Sequence, residues 1–262
     1  MRRAAGAVTD SAKGGRGVVV GVLGGMGPAA TADFYQKLVE ATPAATDQQH
    51  LRVVMWSDPT VPDRTAALMD DGPDPTPWLL RGLRVLTEAG ADLIAMPCNT
   101  AHAFLTPATG RTGVRVVHMI DQAVRVVTEM SPPVRRVGLL ATTGTVRAGL
   151  YQDWLARAGL QAVLPTADEQ EDLVTTAIRA VKAGDRGSGV SGLLTAAGAN
   201  LVHRGAQVII AGCTEIPLVV GEWCASVPVI DPTRALARAV VAAAIGTAGD
   251  PTRYALTGQV RP

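Results

Sequence analysis

At 262 residues, with 47% hydrophobic and 18% charged side chains, the chain has room for one large or two small domains, and its composition excludes global disorder. Lysine and arginine number 24 against 23 aspartates and glutamates, a net charge of +1 that lacks the electrostatic footprint of a nucleic-acid binder. Aromatics are only 3%, so stacking platforms for bases are scarce, and no apolar stretch reaches the roughly 18 residues of a membrane span.

Residues 1–16 carry Arg2, Arg3, Lys13 and Arg16 among small residues and are expected to form a disordered leader. A twin-arginine signal would need an uninterrupted apolar segment after Arg2-Arg3. Glycines interrupt the run here, so it reads as a buried strand entering a turn. That strand, 18–23, leads into Gly24-Gly25-Met26-Gly27-Pro28 and a helix to about residue 40, with Pro28 in the first turn where a missing N–H costs nothing. A strand at 52–56 precedes a Pro-rich loop that reaches Pro77 and contains Arg64. Helix 79–89 is followed by strand 92–96, which ends at Pro97-Cys98-Asn99-Thr100. Strand 114–117, helix 120–129 and strand 137–141 come next, the last after Pro132-Pro133. Then follow helix 146–158, strand 161–164 and helices 169–182 and 192–204. Strand 207–211 ends at Gly212-Cys213-Thr214-Glu215, before a short strand at 227–230, a helix at 233–244 and a tail at 247–262. Such alternation predicts an α/β fold of mainly parallel sheets flanked by helices.

The two halves repeat each other. Val-Val-Gly-Val-Leu around Gly21 matches Arg-Val-Gly-Leu-Leu around Gly138, and each strand enters a loop of small residues. Gly21 precedes Cys98 by 77 positions and Gly138 precedes Cys213 by 75. Each cysteine closes a similar strand, Ala-Asp-Leu-Ile-Ala-Met-Pro-Cys and Ala-Gln-Val-Ile-Ile-Ala-Gly-Cys. An internal duplication follows: two pseudo-symmetric lobes, 17–117 plus about 230–246 and 118–229, with an active site in the cleft between them. Ligands of open α/β sheets bind at the C-terminal strand ends, which is where both cysteines fall.

Three cysteines are too few for a disulfide framework and point to a reducing cytoplasm, and no spacing suits a structural metal. Free cysteine is often a small apolar filler, and Cys224, in Glu-Trp-Cys-Ala, reads that way. Cys98 and Cys213 stand beside Asn99-Thr100 and Thr214, whose donors suit a carboxylate better than a core. A redox pair fails in a reducing compartment unless the thiols reach bonding range. Acid–base chemistry on two faces of one carbon fits best: a thiol titrates near pH 8.5, so one thiolate removes an α-proton while the opposite thiol delivers another. The enediolate-like carboxylate then needs donors, and Asn99, Thr100, Thr142, Thr143, Thr145 and Thr214 supply them at strand ends.

Gly-Gly-Met-Gly-Pro-Ala-Ala-Thr (24–31), Val-Pro-Asp-Arg-Thr (61–65), Met-Pro-Cys-Asn-Thr-Ala-His (96–102), Ala-Thr-Thr-Gly-Thr (141–145) and Gly-Cys-Thr-Glu (212–215) together resemble the aspartate/glutamate racemase superfamily over residues 17–246. Gly24-Gly25-Met26 in place of an opening Asp-Ser, and Glu215 in place of His after the second Cys-Thr, resemble its aspartate racemase branch. The resemblance implies a cofactor-independent racemase of L- and D-aspartate with Cys98 and Cys213 as reciprocal acid and base. It also implies substrate contacts from Met26, Arg64, Lys182 and Glu215, the two cations meeting the side-chain carboxylate, and a homodimer.

Arg64 could equally be a solvated loop residue, and Lys182 a helix-terminal cation before Gly184. Glu215 could cap the following helix or tune the thiol. His102 and His118 read as packing and hydrogen-bonding residues. Other readings are a racemase for glutamate or another acidic amino acid, a pyridoxal enzyme using Lys182, an amino-acid sensor, and a dinucleotide-binding oxidoreductase. The last rests on Gly25-x-Gly27-x-x-Ala30 with Asp47 further on, a loose fingerprint.

Overall fold

The computed structural model describes residues 17–105, 114–219 and 226–246. The expected leader, the tail and Cys224 lie outside the described residues. Two four-stranded, all-parallel sheets form the framework. The first runs β2-β1-β3-β4, from β1 (Val19–Gly24), β2 (Arg52–Ser57), β3 (Leu93–Ala95) and β4 (Arg115–Val117). The second repeats the order as β6-β5-β7-β8, from β5 (Arg136–Leu140), β6 (Gln161–Val163), β7 (Val208–Ala211) and β8 (Val229–Ile230).

The duplication read from sequence is visible in the packing of its two glycines. Gly21 faces Ile94 on β3, and a Cβ on it would meet Ile94, Ala91 and Leu86. Gly138 faces Ile209 on β7, and a Cβ there would meet Ile209, Leu201 and Ala206. Each glycine lets a helix and a neighbouring strand close onto the sheet, and the same three residue types do it in both halves. All six residues of β1 and all four of β7 are buried, as strands covered on both faces must be.

Helices cover both sheets. Around the first lie α1 (Pro28–Ala41), α2 (Arg64–Leu68) and α3 (Thr76–Glu88), whereas α4 (Met119–Thr128) packs Ile120, Ala123, Val124 and Val127 with Val137, Leu139, Val208 and Ile210 of the second. Around the second lie α5 (Thr143–Arg147), α6 (Leu150–Arg157), α7 (Ala167–Glu169), α8 (Thr176–Lys182) and α9 (Ser188–His203). The last helix, α10 (Pro232–Ala244), leaves β8 of the second sheet and packs Leu236, Ala237 and Val240 with Val20 and Val22 of the first and with Phe34 of α1. No helix among the described residues is long and apolar enough to cross a membrane.

Three expected elements differ. The Pro-rich loop contains α2, started by the Asp63 side chain accepting from the Ala66 N–H at 2.8 Å. The helix expected over 146–158 is two helices, because Gly149 takes a left-handed φ of 66° between them. The helix expected from 169 begins at Ala167 behind a Thr166/Glu169 capping box, and its residues Gln170–Thr175 form a π turn.

Candidate active site

Both cysteines emerge just past the C-terminal end of the third-numbered strand of their sheet, β3 for Cys98 and β7 for Cys213. Each is buried in its own lobe's apolar cluster, Cys98 beside Met26 and Ala101, Cys213 beside Leu140 and Ile216. The filler role is thus half true. Yet both thiols also line one common cavity, together with Met26, Asp63, Arg64, Thr65, Asn99, Thr100, Thr142, Lys182, Thr214 and Glu215. Ten of the twelve residues singled out in the sequence converge there.

Thr143 and Thr145 do not. Thr143 lines the adjoining groove and pairs with Thr175 at 3.3 Å. Thr145 is fully buried behind the wall, where its hydroxyl meets Thr100 at 2.8 Å and Thr142 at 3.0 Å. Thr100 and Thr142 are themselves 3.0 Å apart, so three hydroxyls from two lobes close into a ring. Asp63 and Thr65, which flank Arg64 in the same motif, were missed although the motif held them.

Arg64 is no solvated loop residue. Its Nη1 donates to the carbonyls of Val61 at 3.1 Å and Pro62 at 2.9 Å, and its Nη2 to that of Met26 at 3.4 Å. Its Nε is buried with no partner among the described residues. Backbone carbonyls therefore engage both terminal nitrogens and leave the Nε–H without a partner, a donor suited to a carboxylate. Met26 acts here through its main chain.

Glu215 does not cap the following turn with its side chain. It accepts from Cys213 Sγ at 3.0 Å and from Thr214 Oγ1 at 3.3 Å. Burial, and after it the Glu215 charge, push the Cys213 thiol well above the ordinary range, so Cys213 rests protonated. Lys182, the last residue of α8, is pulled two ways. Burial lowers its pKa, but the nearby Cys213, Glu215 and Cys98 outweigh that and raise it, keeping the ammonium charged.

His102 clamps the Cys98 turn instead of entering the cavity. Its Nδ1–H donates to the Cys98 carbonyl at 2.8 Å and its Nε2 accepts from the Met119 N–H at 3.1 Å. Burial lowers its pKa to about 4, so it is neutral at physiological pH. His118 caps α4, its Nδ1 accepting from the Asp121 N–H.

The glycine loop after β1 is filled by its own protein. Gly25, at φ 92°, lies so close to Asp58 that a Cβ would come within 2.4 Å of the Asp58 nitrogen. The Thr31 hydroxyl accepts from the Gly25 N–H and donates to the Gly27 carbonyl, both at 2.9 Å. Asp47 sits in a 3₁₀ turn before β2, whereas a dinucleotide fold places its acidic residue after that strand. The oxidoreductase alternative loses its geometric basis.

Residues 23–240 match the family described as Asp/Glu/Hydantoin racemase. The chain belongs to this family. It resembles an aspartate racemase from Picrophilus torridus at 32% identity, with a TM-score of 0.77 over 88% of this chain and 95% of that one. It is 25% identical over 229 residues to the broad specificity amino-acid racemase RacX of Bacillus subtilis (strain 168), covering 85% of this chain and 96% of that protein. A glutamate racemase of Francisella tularensis subsp. tularensis SCHU S4 shares the fold, with a TM-score of 0.65 at 15% identity over 93% of this chain and 85% of that one. The family and these relatives make the protein an amino-acid racemase of the cofactor-independent kind.

The space between the racemase's two thiols is only about 20 Å³, room for roughly one water. A groove of about 420 Å³ adjoins the cavity and shares Asp63, Thr65, Thr142 and Lys182 with it.

Proposed function

We propose that the racemase interconverts L- and D-aspartate by proton transfer between Cys98 and Cys213 on opposite faces of the α-carbon. The observation that carries this is the meeting of two buried thiols, one from each half of the duplication, in a single cavity. Cys213, protonated on Glu215, is the resting acid, and Cys98 is the base of the direction that starts from that state. Removing an α-proton puts charge onto the substrate carboxylate. Asn99 Nδ2, which has no partner among the described residues, stands ready as a donor, the Thr100, Thr142 and Thr214 hydroxyls line the same cavity while bonded to protein groups, and Lys182 holds a positive charge beside both sulfurs. As thiolate forms on one wall and thiol on the other, Lys182 stabilises whichever sulfur is charged.

Arg64 supports an acidic substrate. Its unpartnered Nε–H, with the remaining Nη2 hydrogen, meets the side-chain carboxylate in a bidentate pair, which a neutral substrate cannot form. A second reading, a side chain longer than that of aspartate, has one observation in its favour: the groove beyond Lys182 continues the cavity outward.

The test is racemisation by single variants. Cys98→Ala and Cys213→Ala each lose racemase activity on aspartate while calorimetry still detects aspartate binding; full activity in either one contradicts the two-thiol mechanism. Arg64→Ala weakens aspartate turnover by about tenfold or more relative to alanine, the loss of one charge-assisted bidentate pair. Equal losses for the two amino acids contradict the assignment of Arg64 to the side-chain carboxylate.

A further inference from the structure

No sequence pattern singles out Tyr151, yet it touches both half-sites. It stands in the first turn of α6, fully buried in the second lobe. Its hydroxyl crosses to the first lobe and donates to Asn99 Oδ1 at 2.7 Å, beside Cys98. The edge of its ring lies against Gly212, next to Cys213: a Cβ at Gly212 would come within 3.2 Å of Tyr151 Cε2.

Asn99 is 2% exposed and lines the catalytic cavity, and its Nδ2 has no partner among the described residues. A buried amide donor without a partner costs stability, which is tolerable where a ligand completes it. An amide has two orientations, and Tyr151 distinguishes them. The phenol makes no other hydrogen bond among the described residues, so its proton goes to Oδ1 and turns Nδ2 the other way. Burial, and then the charges of Asp231 and Cys213, raise the phenol pKa well above its ordinary value, so the donor keeps its proton throughout the working range.

We propose that Tyr151 is a positioning residue: through the Asn99 amide it presents an N–H donor to the substrate's α-carboxylate and holds the Cys98 and Cys213 loops in one register. This rests on the active-site assignment above. Asn99 touches the substrate; Tyr151 acts through it.

The experiment is a double-mutant cycle on the full-length protein, read as kcat/KM together with thermal unfolding. Tyr151→Phe keeps the ring against Gly212 and removes only the donor. It lowers kcat/KM about tenfold, because the freed amide turns its oxygen toward the carboxylate part of the time. In an Asn99→Ala background the same change costs nothing further. Additive losses, or an unchanged Tyr151→Phe enzyme, overturn the proposal. Asn99→Asp tests it even if Tyr151→Phe does not fold. That variant still accepts from Tyr151 but, once its buried carboxyl is ionised, offers only oxygen where Nδ2 stood, so at pH above that carboxyl's pKa it loses at least as much activity as Asn99→Ala. Wild-type kcat/KM in Asn99→Asp overturns the proposal. Rates are taken with whichever amino acid the wild-type protein racemises, so a wrong substrate leaves this test intact, and Cys98→Ala checks the thiol assignment separately.

Discussion

Glu215 accepts a hydrogen bond from the thiol two residues before it, and that contact makes the two cysteines chemically unequal although the halves that carry them are copies. The carboxylate raises the Cys213 pKa, second only to burial, and Lys182 opposes it. Glu215→Gln keeps an acceptor for the thiol and deletes the charge. The Cys213 pKa therefore falls, and the alkaline limb of kcat/KM moves to lower pH in the direction where Cys213 donates. A profile that stays in place or moves upward contradicts the pairing. At this scale the sequence was legible wherever chemistry repeats in pattern. The convergence of Cys98 and Cys213 on one cavity could be read because each ends a matching strand, and that of Arg64 because its motif is distinctive. The role of Glu215 could be narrowed only to two, since cap and thiol partner lie equally near in sequence. Tyr151 was not legible: its partner Asn99 is 52 positions away, and a tyrosine at the start of a helix carries no sign of which side chain it meets.

Elements bring these residues together through close approaches that only small residues allow. Gly144 on α5 sits across the cleft from α2, and a Cβ on it would lie 2.9 Å from Thr65 Cα and 3.0 Å from its Oγ1. Thr65 lines the cavity, so Gly144→Ala pushes backbone against the cavity wall. Stability falls by about 1–3 kcal/mol, the usual cost of overpacking, and kcat/KM falls with it. Denaturant unfolding with steady-state kinetics measures both; wild-type values in both contradict this contact. The parallel strands and most helices followed from periodicity, since apolar runs and amphipathic stretches alternate plainly. What escaped depends on single residues. Gly149 in its left-handed conformation divides a continuous amphipathic pattern, and Asp63 nucleates a helix in a stretch whose prolines read as loop. The π turn at Gln170–Thr175 coincides with a tertiary contact, Gln170 Nε2 donating to the Ala141 carbonyl at 3.1 Å beside Thr142.

Over the whole molecule, two copies of one sheet are coupled by a few buried polar links. Lys37 on α1 is 7% exposed and bridges Asp33 at 2.5 Å and Asp231 at 2.7 Å. Asp231 caps the helix that returns from the second sheet to the first, so this network fixes the point where the chain crosses between lobes. The ring of Thr100, Thr142 and Thr145 and the Tyr151–Asn99 bond tie the lobes at the cavity itself. A catalytic carbon held between two monoprotic acids, one from each lobe, has an isotopic signature that neither lobe alone produces. Supply a single aspartate enantiomer in deuterated water and analyse both enantiomers before a tenth of it has turned over. Two opposed thiols place solvent deuterium at the α-carbon of the newly formed enantiomer and leave the starting one essentially unlabelled, because the thiol that took a proton can return only that proton. Equal labelling of both enantiomers at early times, or product that retains the original α-hydrogen, contradicts proton transfer between Cys98 and Cys213.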